Sequence, residues 1–229
     1  MDVALVTVGD EILAGDTVNT NAAWLGQRLA ERGVDVERIT VVPDRVGDIA
    51  RVVNEYRAEY DAVIVTGGLG PTHDDVTMEG VAAAFGTELA ESEEAREWLA
   101  DNGYAAHKLA EGTTHIPRTA DLLANPEGVA PGCVIGSVYV LPGVPEEMKG
   151  MWGEIADEFS GEPRAVAVVE AAEPESHLID RLLEVQERFE VSVGSYPGET
   201  VRIKLEGASE EVDAAAAWLR ERVESPADA

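Results

Sequence analysis

The sequence holds a single cysteine, Cys133, which excludes an intrachain disulfide and a cysteine zinc cluster. No segment approaches the ~20 apolar residues of a membrane span. The opening residues Met1-Asp2-Val3-Ala4-Leu5-Val6 lack the basic region of a signal peptide and run straight into a strand pattern. A reduced, cytoplasmic protein is the expectation. Lysine is scarce, with only Lys108, Lys149 and Lys204. No basic patch is therefore available to neutralise phosphates, which argues against nucleic acid and anionic membranes as partners. Chemical signatures are missing too. G-x-G-x-x-G is absent after the first strand, and no Ser-His-Asp or Cys-His arrangement presents itself. Gly150 to Gly153 spells G-x-x-G, but inside a helical pattern without basic flanks, so it is no RNA clamp.

Acids are plentiful instead. Asp plus Glu total 45 against 17 Lys plus Arg, for a formal net charge of −28. They are spread over well-patterned helices rather than gathered in a tail, so disorder is the poorer explanation. Such a chain repels itself in dilute buffer and is relieved by salt. The expected setting is a high-salt cytoplasm, as in halophilic archaea.

Strand patterns at Met1–Val8, Val34–Val42 and Asp61–Thr66 alternate with helical patterns. One carries Ala22, Leu25 and Leu29 behind an Asn21 N-cap, and another Val46, Ile49, Val53 and Tyr56. This alternation predicts βαβ units and a mostly parallel sheet. A helix is expected from Met78 to Phe85, and a polar helical stretch from Ser92 to Gly112. Thr113–Pro131 reads as irregular, with Asp121-Leu122-Leu123 extended. Cys133–Leu141 reads as a strand broken by Gly136, and Glu146–Phe159 as a helix striped with Met148, Met151, Trp152 and Ile155. Ser160–Pro163 looks like a linker. The domains expected are 1–160, α/β, and 164–224, a small α+β domain in βαββα order, followed by a tail at 225–229.

The stretch T-G-G-L-G-P-T-H-D-D-V-T, Thr66 to Thr77, is the most informative. A buried strand leaves the sheet through glycines whose main-chain N–H groups can form an anion nest. Gly67, Gly68, Gly70 and Thr72 are the candidate phosphate-binding residues. Asp74 and Asp75 share that loop, and acids beside a phosphate repel it unless a divalent cation bridges them. Capping of the next helix is the plainer alternative for these aspartates. Ligands of open parallel sheets bind at the carboxyl ends of strands. There Asp10 and Glu11 follow the first strand, Asp44 the second, and Asp74 and Asp75 the third. Pro142-Gly143 follows the fourth, and Asn19 and Asn21 are placed to hydrogen-bond a ribose or pterin edge. His73 is a minor candidate; His107, His115 and His177 have no ligand-like spacing and are expected at the surface or in packing.

Five blocks carry a resemblance: G-D-E-I-L-A-G with N-T-N at Asn19–Asn21, V-P-D at Val42–Asp44, the Thr66–Thr77 stretch, N-P-E-G-V-A-P-G at Asn125–Gly132, and L-P-G-V-P-E-E-M at Leu141–Met148. In this order they resemble the N-terminal molybdopterin-binding-like domain of competence/damage-inducible CinA proteins. S-Y-P at Ser195–Pro197 resembles the small KH-like domain that follows it there. The nicotinamide mononucleotide deamidase domain of full-length bacterial relatives is not expected here. The resemblance implies a three-layer α/β/α fold and hydrolysis of ADP-ribose with a divalent metal such as Mg, Mn or Co. It implies functional roles for Asp44 and Asp75, and a glycine loop on the phosphate or pterin end. Metal-binding is expected of Asp44, Asp74 and Asp75, and a homo-oligomer, dimer ahead of trimer, is the expected assembly. The family's N-x-K-Q-A stretch is replaced here by A-E-G-T-T before Ile116. Two alternatives stand beside hydrolysis: binding or adenylylating molybdopterin, and a non-catalytic binding module. L-G-P-T in the glycine loop favours hydrolysis over the pterin branch.

Overall fold

The computed structural model describes residues 1–104, 109–110, 112–162 and 164–226. It divides into two compact units, Met1–Glu162 and Pro163–Ala229. The first unit runs β1 (Asp2–Val8), α1 (Asp10–Ala14), α2 (Thr20–Glu31), β2 (Asp35–Val42), α3 (Val46–Glu59), β3 (Ala62–Thr66) and α4 (Thr77–Ala84). It continues with β4 (Leu89–Glu91), α5 (Glu93–Asp101), β5 (His115–Pro117), β6 (Asp121–Leu123), β7 (Gly132–Ile135), β8 (Val138–Leu141) and α6 (Pro145–Ile155).

The main sheet has the order β2-β1-β3-β8-β7-β6. β1 pairs in parallel with β2 and β3, and β3 with β8, while β7 and β6 are antiparallel. Val3 to Val8 and Ala62 to Thr66 are buried without interruption, as strands covered on both faces must be. On one face, Leu25 and Leu29 of α2 meet Met148, Met151 and Trp152 of α6 over Leu5 and Ile64. On the other, Ile49 and Val53 of α3 and Val81 of α4 cover Val6, Val63 and Val65. The result is a three-layer α/β/α domain with a mostly parallel sheet. Truncating a fully buried leucine such as Leu25 would cost about 2–5 kcal/mol.

Several local expectations are corrected. Asn19, not Asn21, caps α2, its side chain accepting from the Ala22 N–H at 3.1 Å. Cys133–Leu141 is a hairpin, not one strand, because Gly136 turns at φ 58° and sends β8 back along β7. Gly9–Gly15, which reads as a loop in the sequence, contains the short α1, and β4 and β5 pair as a ribbon that no residue pattern announced. Ser92 caps α5, which ends at Asp101. The rest of the predicted Ser92–Gly112 helix includes residues 105–108 and 111, outside the described residues, as is His107.

The second unit runs β9 (Ala165–Ala171), α7 (Glu175–Arg188), β10 (Val191–Tyr196), β11 (Val201–Gly207) and α8 (Ser209–Arg220), the βαββα order read from the sequence. Its antiparallel sheet is ordered β10-β11-β9. Leu178, Val185, Val212 and Leu219 of the helices pack on Val169, Ile203 and Leu205, giving an α+β domain.

With a net charge of −28, the thermal midpoint of the whole chain is expected to rise steeply from low to molar KCl, as screening removes self-repulsion. A midpoint independent of KCl in a thermal melt would refute this account of the charge.

Candidate functional site

The chain passes from β1 outward to β2 and then back to β3 on the other side of β1, so the sheet has a switch point between the ends of β1 and β3. A crevice forms where neighbouring connections part in opposite directions. Here it is a cleft of about 1310 Å³. Its floor is main chain. The Gly67 N–H donates to the Leu141 carbonyl at 3.1 Å, continuing the β3–β8 ladder, and so is not free for an anion. Gly67 serves by its shape, with φ 99° and a missing Cβ that would lie 2.3 Å from the Val8 carbonyl oxygen. The N–H groups of Gly68, Leu69 and Gly70 carry no hydrogen bond among the described residues and are the available donors. Gly143 closes the nest from β8, its Cβ position 3.3 Å from the Gly67 Cα.

The second half of the loop folds on itself. Asp75 Oδ2 accepts from the Thr72 N–H at 3.0 Å and from the Thr72 hydroxyl, and the Asp75 N–H donates back to the Thr72 carbonyl at 3.1 Å. The hydroxyl expected to serve a phosphate is thus committed to a carboxylate. A Cβ at Gly70 would fall 2.6 Å from Asp75 Oδ2, so a larger residue there would press on that carboxylate. Asp74 is held below the usual carboxylate range, first by the Thr72 hydroxyl, then by its own backbone N–H and by His73. His73 itself points out to solvent, its Nδ1 3.8 Å from Asp74 Oδ1.

Asp44 sits across the cleft and accepts from the Asp10 N–H at 2.7 Å. Its carboxyl is pushed above the ordinary value, first by burial against that lowering hydrogen bond, then by the charges of Asp10, Glu11 and Asp74. Asp10 contributes through its backbone at the start of α1; its residue is exposed and is not among those lining the cleft. Glu11, Asn19, Asn21, Asp44, Asp74, Asp75 and Pro142 do line it, with the glycines and Thr72. Asn21 is nearly buried, and its Nδ2 donates to the Gly143 carbonyl at 2.8 Å.

One wall escaped the residue-by-residue reading. Asn125 is fully buried; its Nδ2 donates to Ala130 O at 2.9 Å and to Glu147 Oε2 at 2.8 Å, while its Oδ1 accepts from the Glu127 N–H at 3.2 Å. This amide holds the loop Glu127–Pro131 against α6, and Glu127, Gly128 and Glu147 face the cleft. Glu79 and His115 line it as well. The block N-P-E-G-V-A-P-G was visible in the sequence, but nothing local says which of its residues turn inward.

The lining is one-signed. Glu11, Asp44, Asp74, Asp75, Glu79, Glu127 and Glu147 face it, and no lysine or arginine does among the described residues. Nor do the described residues hold a group of three or more His, Cys, Asp or Glu placed for a metal ion. Mg²⁺ does not require such a cage, since it is commonly bound by one or two carboxylates together with substrate phosphates and water. The oxygen donors of Asp44, Asp74 and Asp75 suit a hard cation of that kind, and the raised Asp44 carboxyl marks a place where positive charge would be welcome.

That elevation has a consequence for stability. Ionised Asp44 is disfavoured in the fold, so its contribution is complete below the ordinary carboxylate pKa of about 4 and is lost as pH rises through the folded value. Asp44→Asn keeps an oxygen for the Asp10 N–H and removes the charge. Without divalent cation, its thermal midpoint is expected to exceed the parent's at pH 7, with the difference shrinking below about pH 4. Melts showing the variant equal or less stable at pH 7 would contradict this.

An α/β/α sheet with a glycine nest and acids at its switch point defines a class of ligand-binding domain, and sequence comparison narrows it. Residues 4–161 match the family described as "Probable molybdopterin binding domain", and the chain belongs to that family. Residues 165–227 match the family described as "FAD synthase, middle domain". A protein of Archaeoglobus fulgidus is 38% identical over 216 residues, 92% of this chain and 93% of that one. A CinA-like protein of Frankia casuarinae is 42% identical over 165 residues, 66% of this chain but 38% of its own length. The solved structure of CinA from Thermoplasma acidophilum, described as of unknown function, superposes with a TM-score of 0.64 at 37% identity, covering 69% of this chain and 97% of that one. The resemblance to CinA proteins read from the motifs therefore holds. No helix among the described residues is long and apolar enough to cross a membrane.

Proposed function

We propose that the first unit is a divalent-metal-dependent nucleotide pyrophosphatase, with ADP-ribose as the first substrate to test. The observation that carries the reading is the pairing of a main-chain anion nest with a cleft lined, among the described residues, by seven acids and by no lysine or arginine. A phosphate ester entering it alone would meet the repulsion of the acids beside the donors of the nest, whereas a phosphate arriving with its cation meets both the donors and the carboxylates it needs. Asp44, Asp74 and Asp75 would hold the cation, which when bound supplies charge neutralisation at the bridging phosphates. The N–H groups of Gly68, Leu69 and Gly70 take up negative charge developing on phosphate oxygens. Asp44, with its raised carboxyl, is suited to orient a water or accept its proton. Asn19 and Asn21 stand at the α2 end to meet ribose hydroxyls. Hydrolysis breaks the P–O–P bridge with water and yields AMP and ribose 5-phosphate.

The name of the family matched by the second unit concerns FAD synthase, whose named product is itself a dinucleotide pyrophosphate; this supports a nucleotide ligand. A second reading, molybdopterin binding or adenylylation, is favoured by the description of the family matched by the first unit. Assembly as a homo-oligomer and a cytoplasmic, high-salt setting complete the proposal. Incubation at molar KCl with ADP-ribose and Mg²⁺, Mn²⁺ or Co²⁺ should release AMP, and excess chelator should stop it. Turnover of molybdopterin plus ATP, with ADP-ribose untouched, would replace the first reading by the second; no turnover of either would leave a binding module.

A further inference from the structure

The cleft is much larger than a metal pyrophosphate needs. At about 1310 Å³ it exceeds the common range of small-molecule sites, roughly 300–1,000 Å³. Beyond the glycine nest its lining changes character, to Met78 of α4, Leu89 of β4, Tyr104 and His115 of β5. Met78 follows Thr77, whose N–H donates to the Gly68 carbonyl at 3.2 Å, so this apolar end adjoins the nest. His115 and the Tyr104 hydroxyl are polar groups within it. The backbone of His115 is fixed twice, by pairing with Glu91 across the β4–β5 ribbon and by donation of its N–H to the Gly112 carbonyl at 2.8 Å. Its ring is not. Nδ1 is buried without a hydrogen-bond partner, and neither ring nitrogen bonds to a described residue. A buried imidazole nitrogen left unpaired is costly, and such groups in native proteins usually await a ligand or water.

We infer that His115, which lines the cleft together with Met78, Leu89 and Tyr104, recognises the planar heterocycle of the ligand, while the glycine nest takes its phosphates. The inference rests on the proposed nucleotide reading for the phosphate end, but the heterocycle end stands on the lining and on the unpaired His115 Nδ1. Apolar side chains sandwich a flat ring, and one imidazole able to donate and accept reads its polar edge. Purines and pterins share that chemistry. Sequence spacing had set His115 aside, since no other histidine or cysteine accompanies it; recognition of a ring needs no such company.

Calorimetric titration of the full chain at molar KCl with Mg²⁺ tests this with four probes: ADP-ribose, inorganic pyrophosphate, adenosine and neopterin. His115→Phe keeps ring volume and removes the hydrogen bonds; His115→Asn restores a donor and an acceptor. The expected result is ADP-ribose affinity weakened roughly tenfold in His115→Phe, the loss of about one net hydrogen bond. Pyrophosphate affinity should be unchanged, and His115→Asn should recover part of the loss. In turnover assays the effect should fall on KM rather than kcat. Equal weakening of ADP-ribose and pyrophosphate, or no weakening of either, overturns the inference, as does a parent chain that binds pyrophosphate but neither ring. Binding of adenosine or neopterin that depends on His115, with no cleavage of ADP-ribose, upholds the inference and defeats the pyrophosphatase reading. Preference between those two rings identifies purine or pterin. Thermal midpoints within a few degrees of the parent confirm that both variants are folded.

Discussion

Replacing Asp75 by Asn is expected to lower the proposed turnover of ADP-ribose at least ~100-fold, the size of effect that follows loss of one strong electrostatic stabiliser. The carboxylate belongs to a self-contained loop, accepting both the N–H and the hydroxyl of Thr72. Asn can keep one of those bonds through its Oδ1, so the loop should hold its course while the negative charge disappears. The fold should persist, because the residue is only partly buried at a polar rim and supplies no core contact. Glu210→Gln in the exposed first turn of α8 is the matched control and should be silent. Steady-state rates with saturating Mn²⁺ or Mg²⁺, read beside the far-ultraviolet spectrum, distinguish catalytic loss from misfolding. Unaltered hydrolysis by Asp75→Asn, or equal rates in excess chelator, would remove this cleft from the reaction.

A second large effect is expected at Gly67. Alanine there must adopt φ near 99° and place its Cβ 2.3 Å from the Val8 carbonyl oxygen, a backbone atom that cannot rotate aside. Strain of about 1–3 kcal/mol adds to a comparable overpacking cost. At roughly 2–4 °C per kcal/mol for a domain of this size, a midpoint lower by about 10 °C follows. Gly15 separates the two causes. It too has a positive φ, 78°, but nothing lies within 4 Å of its Cβ position. Gly15→Ala should therefore show the strain alone, about 1 kcal/mol. If thermal melts find the two variants equally stable, the close approach of β1 to the loop has been misjudged.

The sheet was legible because β-branched runs such as Ala62-Val63-Ile64-Val65 end abruptly in glycine, a signal contained within a few residues. The acidic rim was legible for a related reason: parallel strands deliver whatever follows them to one edge. Asp10 shows where such reasoning stops. It follows β1 directly, yet α1 begins there, so its N–H rather than its carboxylate serves the site. The β4–β5 ribbon was not legible at all, since three-residue strands show no periodicity and partners from Leu89 to Pro117 are joined through a helix. The place of His115 on the cleft lining was not legible for the same reason. The Asn125 wall lay in between. Its block stood out, but the inward turn depends on a buried amide meeting Glu147 from a helix begun twenty residues later.

The floor of the cleft is made of main chain, pinned by the Gly67–Leu141 hydrogen bond and by the approach of Val8 and Gly143. Its donors are amides, and substitution of a side chain does not delete an amide. The β4–β5 ribbon contributes Leu89 and His115 to the lining. If the nest holds phosphate as proposed, exchange of a side chain such as His115 would change ligand choice and leave the main-chain donors in place. A designer seeking a new specificity would leave residues 66–70 alone and diversify that ribbon.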